Sequence, residues 1–201
     1  MSTPDRGRKV VVIEHVTLEG VMQAPGRPDE DERGGFEHGG WAHARTDEVM
    51  GRQMGERMAK GGPLLFGRRT YEDFLSFWPN QTDNPYTEVL ENADKYVAST
   101  TLREPLPWRN SKLLSGDAAE AVVELKQQPG GDLGVLGSGT LVQSLMQRGL
   151  VDELVLMIHP LVLGTGRRLF PDGAPGAELR LVDSVPTTTG VMIATYEGSA
   201  G

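Results

Sequence analysis

The stretch that most constrains the fold is residues 133–145, where a short apolar run meets a Gly-Ser-Gly turn that opens into an amphipathic segment. The apolar run predicts a buried strand, because parallel strands covered on both faces have continuous apolar sequences. Leu141, Val142 and Leu145 share one face at helical spacing, which predicts a helix. The turn leaves free backbone N–H groups at a helix N-terminus, where phosphate binds favourably. A single turn of this kind is more often a tight connection that binds no ligand.

Composition excludes several kinds of site and partner. The 201 residues include no cysteine, which excludes disulfides, thiolate metal sites and a cysteine nucleophile. The four histidines lack metal-ligand spacing, so we expect no metal. The formal charge is −8 without any concentration of Lys and Arg, so we expect no nucleic-acid partner. Because no apolar run approaches the roughly 20 residues of a membrane span and no signal-peptide core is present, we expect a cytoplasmic protein with no membrane association.

Strand-like and helix-like segments alternate along most of the chain. Strands are predicted at residues 9–14, 63–66, 95–101, 111–114, 133–136 and 151–158, with helical segments between most of them. This alternation indicates an α/β fold with a mainly parallel central sheet and helices on both faces. Residues 178–185 and 191–196 predict an antiparallel hairpin at the C-terminal end. We expect a flexible tail at residues 1–8 and a single domain at residues 9–201.

A long segment at residues 16–45 follows no helical or strand period, and Gly, Pro and acidic residues dominate it. A loop of this length in a compact domain is usually functional or disordered. Its apolar residues, among them Phe36 and Trp41, argue against disorder. We favour a lid over a binding site, and a plain surface excursion is the alternative.

Three segments at the C-terminal ends of predicted strands carry groups that favour phosphate. They are residues 67–70 (Gly-Arg-Arg-Thr), 99–101 (Ser-Thr-Thr) and 137–140 (Gly-Ser-Gly-Thr). Ligands of parallel sheets bind beyond the carboxyl ends of the strands, where helix N-terminal amides, hydroxyls and guanidinium groups recognise phosphate. One such turn is commonplace, whereas three in a small domain indicate a dinucleotide. Because the spacing does not match a Gly-x-Gly-x-x-Gly fingerprint after the first strand, we do not expect an ordinary Rossmann domain.

The order and spacing of these motifs resemble the dihydrofolate reductase-like superfamily. The resemblance is specifically to the branch that includes the reductase domain of the bacterial bifunctional riboflavin-biosynthesis enzyme. It rests on residues 16–21, 65–72, 97–101, 135–141 and 151–170, and it covers nearly the whole chain from Lys9 to Tyr196. Glu19 stands where relatives usually carry aspartate in a Leu-Asp-Gly turn. At the third segment dihydrofolate reductases have consecutive glycines joined by a cis peptide bond. This chain departs from that pattern, with Ser138 in place of the second glycine. We expect the cis bond between Gly137 and Ser138 to persist if NADPH binds, at a cost of about 3 kcal/mol that the fold must enforce.

The resemblance implies an NADPH-dependent reductase of a small heterocyclic or carbonyl substrate, and a homodimer. The residues it implies for cofactor binding are Gly67, Arg68, Arg69, Thr70, Ser99, Thr100, Gly137, Ser138, Gly139, Thr140 and Leu141. The two adjacent arginines favour NADPH over NADH, because a guanidinium group recognises a phosphate dianion with a rigid set of donors. A second hypothesis remains open, in which the same loops hold a nucleotide as a ligand or signal and no reaction follows.

The helix predicted after residue 45 begins with Asp47 and Glu48 and carries Met50, Met54 and Met58 at four-residue spacing. We interpret the methionines as core packing, since methionine fills irregular gaps well. Dihydrofolate reductases place one acidic residue on the corresponding helix, facing the substrate. The resemblance therefore implies that Asp47 or Glu48 polarises or protonates the substrate. Acids in a first turn are also typical of ordinary helix capping.

Overall fold

The alternation of strands and helices is present in a computed structural model, which describes residues 7–174 and 176–198. The strands are β1 (Val10–Thr17), β2 (Leu64–Gly67), β3 (Lys95–Ala98), β4 (Ser111–Leu114), β5 (Leu133–Leu136), β6 (Glu153–His159), β7 (Leu179–Pro186) and β8 (Met192–Gly198). The helices are α1 (Glu48–Ala59), α2 (Arg68–Phe77), α3 (Pro85–Asn92), α4 (Ala118–Lys126) and α5 (Gly139–Gln147). Most of the predicted flexible tail, residues 1–6, lies outside the described residues.

All the strands join one eight-stranded sheet in the order β4-β3-β2-β5-β1-β6-β8-β7. Strands β1 to β6 run parallel to one another, while β8 pairs antiparallel with both β6 and β7. The predicted α/β class, the mainly parallel sheet and the C-terminal antiparallel hairpin are thus confirmed. Strand β1 extends to Thr17, beyond its predicted end at residue 14, because His15, Val16 and Thr17 pair with the last residues of β6. The long loop consequently begins after Thr17.

Helices cover both faces of the sheet. On one face Val12 and Val135 pack in a core cluster with Val142 of α5 and residues of α4. On the other face Phe66 and Tyr71 belong to a cluster with residues of α3, and α1 packs over the centre of the sheet. Within the described part of the chain, no helix has the length and apolar character needed to span a membrane.

The long loop is packed as a unit against the carboxyl end of the sheet. Val21, Phe36 and Trp41 are buried in a cluster of their own. The Trp41 indole donates to the carbonyl of Gln23 over 2.7 Å. The Gln23 amide donates to two lid carbonyls and accepts from the Arg167 backbone N–H, so it joins the loop to the segment after β6. This loop, the lid (residues 18–45), borders the ends of the parallel strands.

Candidate functional site

A cavity of about 1460 Å³ lies at the carboxyl end of the parallel strands, under the lid. Sites for one drug-sized ligand usually measure roughly 300–1,000 Å³, so this cavity has room for a dinucleotide and a second molecule. All the sequence-predicted cofactor residues line it: Gly67, Arg68, Arg69, Thr70, Ser99, Thr100, Gly137, Ser138, Gly139, Thr140 and Leu141. The fold therefore brings the three predicted segments together around one space, and their binding of a cofactor remains a prediction.

Two of these segments are hydrogen-bonded to each other. The Ser138 hydroxyl accepts from the Gly67 backbone N–H over 2.9 Å. Gly137 and Ser138 both have left-handed backbone, with φ of 59° and 64°. A Cβ on Gly137 would lie 3.2 Å from Thr70 Cγ2, so the two turns approach closely where the side chain is absent. The peptide between Gly137 and Ser138 is trans and not the expected cis, and two consecutive left-handed residues form the turn.

The helix N-termini differ in how their free N–H groups are satisfied. Asp47, Asn84 and Asp117 accept backbone N–H bonds at the starts of α1, α3 and α4. Helices α2 and α5, whose first residues line the cavity, have Gly67 and Ser138 at their N-cap positions. Neither residue caps its helix with a side-chain hydrogen bond. The first N–H groups of a helix carry partial positive charge and need an acceptor. Two uncapped helix ends at one cavity are therefore suited to the phosphates of a nucleotide.

The two adjacent arginines have different partners. Arg68 donates to Glu72 one helical turn later, over 2.9 Å, with both side chains partly exposed. Arg69 is exposed and pairs with no carboxylate among the residues that the structure describes. On the loop after β3, the Ser99 hydroxyl accepts from the N–H groups of Thr101 and Leu102 and lies 3.4 Å from the Thr101 hydroxyl. These groups present N–H and O–H donors to the cavity.

Neither sequence-predicted catalytic acid lines the cavity. Asp47 accepts from the Met50 N–H at the start of α1 and from the backbone and hydroxyl of Thr188, at 2.6 and 2.7 Å. These hydrogen bonds, that from Met50 foremost, lower the pKa of Asp47, which makes it a poor proton donor. Glu48 is exposed in the first turn of α1. The observed contacts are those of a helix cap that also holds the β7–β8 turn, and the catalytic role stays a prediction.

The acidic residue that sequence reasoning missed is Glu14, near the C-terminal end of β1. It lines the cavity, is only 3% exposed, and its Oε1 has no hydrogen-bond partner within the described part of the chain. Burial, and secondarily the negative charge of Glu30 in the lid, raises the pKa of Glu14 well above its usual range. The sequence offered one signal for Glu14, namely an acidic residue within a strand that was predicted to be buried on both faces. Strongly shifted acids in clefts are candidates for function.

The methionines of α1 line the cavity as well as contributing to the core. Met50 is buried at 2% exposure, and Met54 and Met58 are partly buried against neighbouring core clusters. All three also face the cavity, together with Phe74 and Trp78. The interpretation as core packing was therefore incomplete, because a helix can bury one side of a methionine stripe and present the rest to a cavity. This wall is apolar and polarisable.

A histidine pair joins β1, β6 and the lid beside the cavity. His15 Nδ1 and His159 Nε2 are 2.9 Å apart, and Trp41 of the lid lies edge-on to the His159 ring. Burial, then the charge of His159, lowers the pKa of His15 to about 3. Burial, then the charge of Arg45, lowers the pKa of His159 to about 4. Both rings are thus neutral at pH 7. The described residues contain no group of three or more potential ligands suited to a metal ion.

The histidine pair predicts a pH-dependent stability. Unfolded histidines bind protons below about pH 6.5, whereas the folded rings stay neutral to about 4, so the free energy of unfolding falls as pH drops through this window. We expect His159→Gln to reduce the loss of stability between pH 7 and pH 5 by about 1–2 kcal/mol, measured by urea unfolding. Glu14 contributes to the pH dependence with the opposite sign, because its raised pKa makes the folded protein bind a proton more readily than the unfolded one. This contribution is the same in both proteins and cancels when their unfolding free energies are compared. The same pH dependence of the unfolding free energy in both proteins would contradict this role of His159.

Comparison with known proteins places this geometry in a family. The model of the RibD C-terminal domain matches residues 8–193. The uncharacterized protein YyaP of Bacillus subtilis (strain 168) is 32% identical over 138 residues, which cover 66% of this chain and 72% of YyaP. These matches confirm the resemblance that the sequence motifs indicate.

Solved structures show the same fold. A Shewanella sp. PV-4 protein whose name refers to riboflavin biosynthesis superposes with a TM-score of 0.70 at 22% identity, covering 96% of this chain and 99% of that one. Enterococcus faecalis dihydrofolate reductase, solved with NADP(H), superposes with a TM-score of 0.60 at 14% identity, covering 96% and 97% of the two chains. The dihydrofolate reductase-like fold is confirmed.

Proposed function

The chain belongs to the RibD C-terminal domain family, and we propose that it is an NADPH-dependent reductase of a small heterocyclic or carbonyl substrate. The observation that carries this proposal is the pair of uncapped helix N-termini, at Gly67 and Ser138, on one large cavity. The dihydrofolate reductase that shares the fold was solved with NADP(H). An oxidoreductase in this family needs a cofactor and a substrate side by side, for which the cavity volume is sufficient.

The residues present fit such a cofactor. The left-handed turn at Gly137 and Ser138 and the start of α5 would hold the pyrophosphate, since the N–H groups there lack side-chain acceptors. Arg69, with Ser99 and Thr100, would hold the ribose phosphate that distinguishes NADPH from NADH. NADPH, when bound, supplies a hydride. The lid would exclude water from the cavity, because its own Phe36 and Trp41 are buried in a packed cluster and hold it in place.

The experiment that tests catalysis is a measurement of NADPH oxidation by the purified protein with a panel of neutral and phosphorylated carbonyl and heterocyclic compounds. We expect substrate-dependent loss of NADPH absorbance with at least one class. The same protein would bind NADPH without oxidising it if the loops only hold a nucleotide. That outcome, across the whole panel, would favour the second hypothesis over the reductase.

The chain is also proposed to form a homodimer through β7. This strand ends the sheet, and its apolar residues Leu179, Leu181 and Val182 are exposed. Natural proteins usually cover or block such an edge, because its free N–H and C=O groups pair with other chains. Light scattering should give twice the chain mass of 21.8 kDa. A mass of one chain at micromolar concentration would contradict the dimer.

A further inference from the structure

We propose that Glu14 is the proton donor of this reductase and that its substrate is a neutral, largely apolar molecule with a reducible C=O or C=N group. This inference rests on the proposed reductase function and names the acid and the substrate class for the same cavity. It replaces the first-turn acids of α1, which do not line the cavity, with an acid that does.

The position of Glu14 puts it beside the proposed cofactor loop. Ile13 pairs with Leu136, the last residue of β5, so Glu14 stands next to the point where Gly137 begins the glycine turn. Its side chain is almost completely buried, and it lines the cavity with Oε1 unpartnered among the described residues. A buried polar atom without a partner is costly and rare in folded proteins. A ligand that hydrogen-bonds to Glu14 would remove this cost.

The surroundings of Glu14 favour its protonated form, because burial and then the charge of Glu30 raise its pKa. The charged group that acts most on it is Glu30, whose carboxylate accepts from the Gly26 and Arg27 backbone N–H groups in the lid. Two cations of the lid are already paired, since Arg27 binds Asp73 and Arg33 binds Asp31. Arg167, on the segment after β6, also lines the cavity, and its charge acts on Asp31. Neutral carboxyl groups can donate a proton at pH 7, whereas ordinary carboxylates cannot.

The wall described above defines the substrate class. Met50, Met54 and Met58 present thioethers, and Phe74 and Trp78 present aromatic rings, to the same cavity that Glu14 lines. Thioethers and aromatic rings favour planar apolar molecules, and sulfur–aromatic contacts add to this preference. Arg33, which lines the cavity, is paired with Asp31, and the lid residue Arg27 is paired with Asp73. A charged group placed against this apolar wall would lose its hydration without gaining a partner there, whereas a neutral molecule would not.

The proposed step transfers one proton and one hydride to the substrate. Glu14 gives its proton to the oxygen or nitrogen of the substrate, which takes the π electrons of the C=O or C=N bond as the carbon accepts a hydride from NADPH. One C–H bond and one O–H or N–H bond form on the substrate. The carboxyl O–H bond of Glu14, the substrate π bond and the C–H bond that carries the hydride on the nicotinamide break, so the cofactor would leave oxidised. Glu14 then takes a proton from water.

The test compares the intact protein with Glu14→Gln and with Glu88→Gln, an exposed acid on α3, as the matched control. Glutamine keeps the size and polarity of Glu14 but cannot give up a proton. We expect NADPH dissociation constants within about threefold of each other in all three proteins, since Glu14 is not among the phosphate-binding segments. At pH 7, the infrared spectrum should contain a protonated-carboxyl band that is lost only in Glu14→Gln.

The probes for the substrate class are 9,10-phenanthrenequinone, a planar neutral dicarbonyl, and ribose 5-phosphate, a polar anionic carbonyl compound. The NADPH complex should bind and reduce the quinone in preference to the sugar phosphate, and Glu14→Gln should slow the reduction by about 100-fold or more. Absence of the infrared band, an unchanged rate in Glu14→Gln, or failure of the quinone to bind would overturn the inference. If the protein does not bind NADPH, the proposed function fails instead.

Discussion

Replacement of Gly137 by valine is expected to weaken NADPH binding by about 100-fold or more, which corresponds to about 2.7 kcal/mol. Gly137 has a φ of 59°, a conformation that β-branched residues hardly adopt. A Cβ at this position would also press on Thr70 at 3.2 Å. The valine would force the turn out of its left-handed path and move the uncapped N–H groups at the start of α5. It would also break the hydrogen bond between Ser138 and Gly67.

Gly149 provides the matched control for this substitution. It follows the opposite end of α5 with nearly the same φ, 64°, and no atom within 4 Å of its Cβ position. Gly149→Val should therefore carry a similar backbone cost of about 1–2 kcal/mol, seen as a lower unfolding temperature, and leave NADPH affinity intact. Calorimetric titration and thermal unfolding of both variants separate the two effects. Equal NADPH affinities in Gly137→Val and Gly149→Val would show that the glycine turn does not hold the cofactor.

The second large effect is expected at Arg69. Removal of a charged hydrogen bond to phosphate costs about 1.5–3 kcal/mol, so Arg69→Ala should weaken NADPH binding by roughly 10- to 150-fold. NADH lacks the extra phosphate, and its affinity should change by no more than about twofold. Arg68→Ala should have the smaller effect, because Arg68 already shares its guanidinium with Glu72.

The control for the arginine series is Arg180→Ala, on the edge strand β7 and paired with Glu197, which removes a similar charge far from the cavity. It should leave the affinities for both cofactors unchanged. Titrations with NADPH and NADH at one ionic strength give the comparison, since phosphate contacts are screened by salt. An equal loss of NADPH and NADH affinity in Arg69→Ala would contradict a role in recognising the 2′-phosphate.

The sequence was sufficient for the fold because its signals are local. A glycine turn between an apolar run and an amphipathic segment specifies a strand and a helix within a few residues. Segments that follow the C-terminal ends of parallel strands must then meet at one edge of the sheet. The predicted segments at Gly67, Ser99 and Gly137 accordingly line one cavity. The expectation of a cis bond between Gly137 and Ser138 did not hold, because the path of a turn depends on the φ of each residue. Residue type alone does not fix that angle.

The site residues that the sequence did not reveal depend on contacts between distant parts of the chain. The sequence offered capping as one interpretation of Asp47, but the further bonds from Thr188, 141 positions later, are evident only in the structure. The His15–His159 pair spans 144 positions. Glu14 stands in a strand whose pattern indicates burial, but only the assembled cavity distinguishes an acid at a strand end from one held beneath a lid.

The central claim is that the cavity binds NADPH, and a calorimetric titration of the unmodified protein with NADPH and with NADH tests it most directly. The uncapped helix ends and Arg69 predict micromolar binding of NADPH and affinity for NADH that is lower by about tenfold or more. Absence of a binding signal for either cofactor at millimolar concentration would contradict the claim. The three segments at the cavity would then be turns that serve the fold alone.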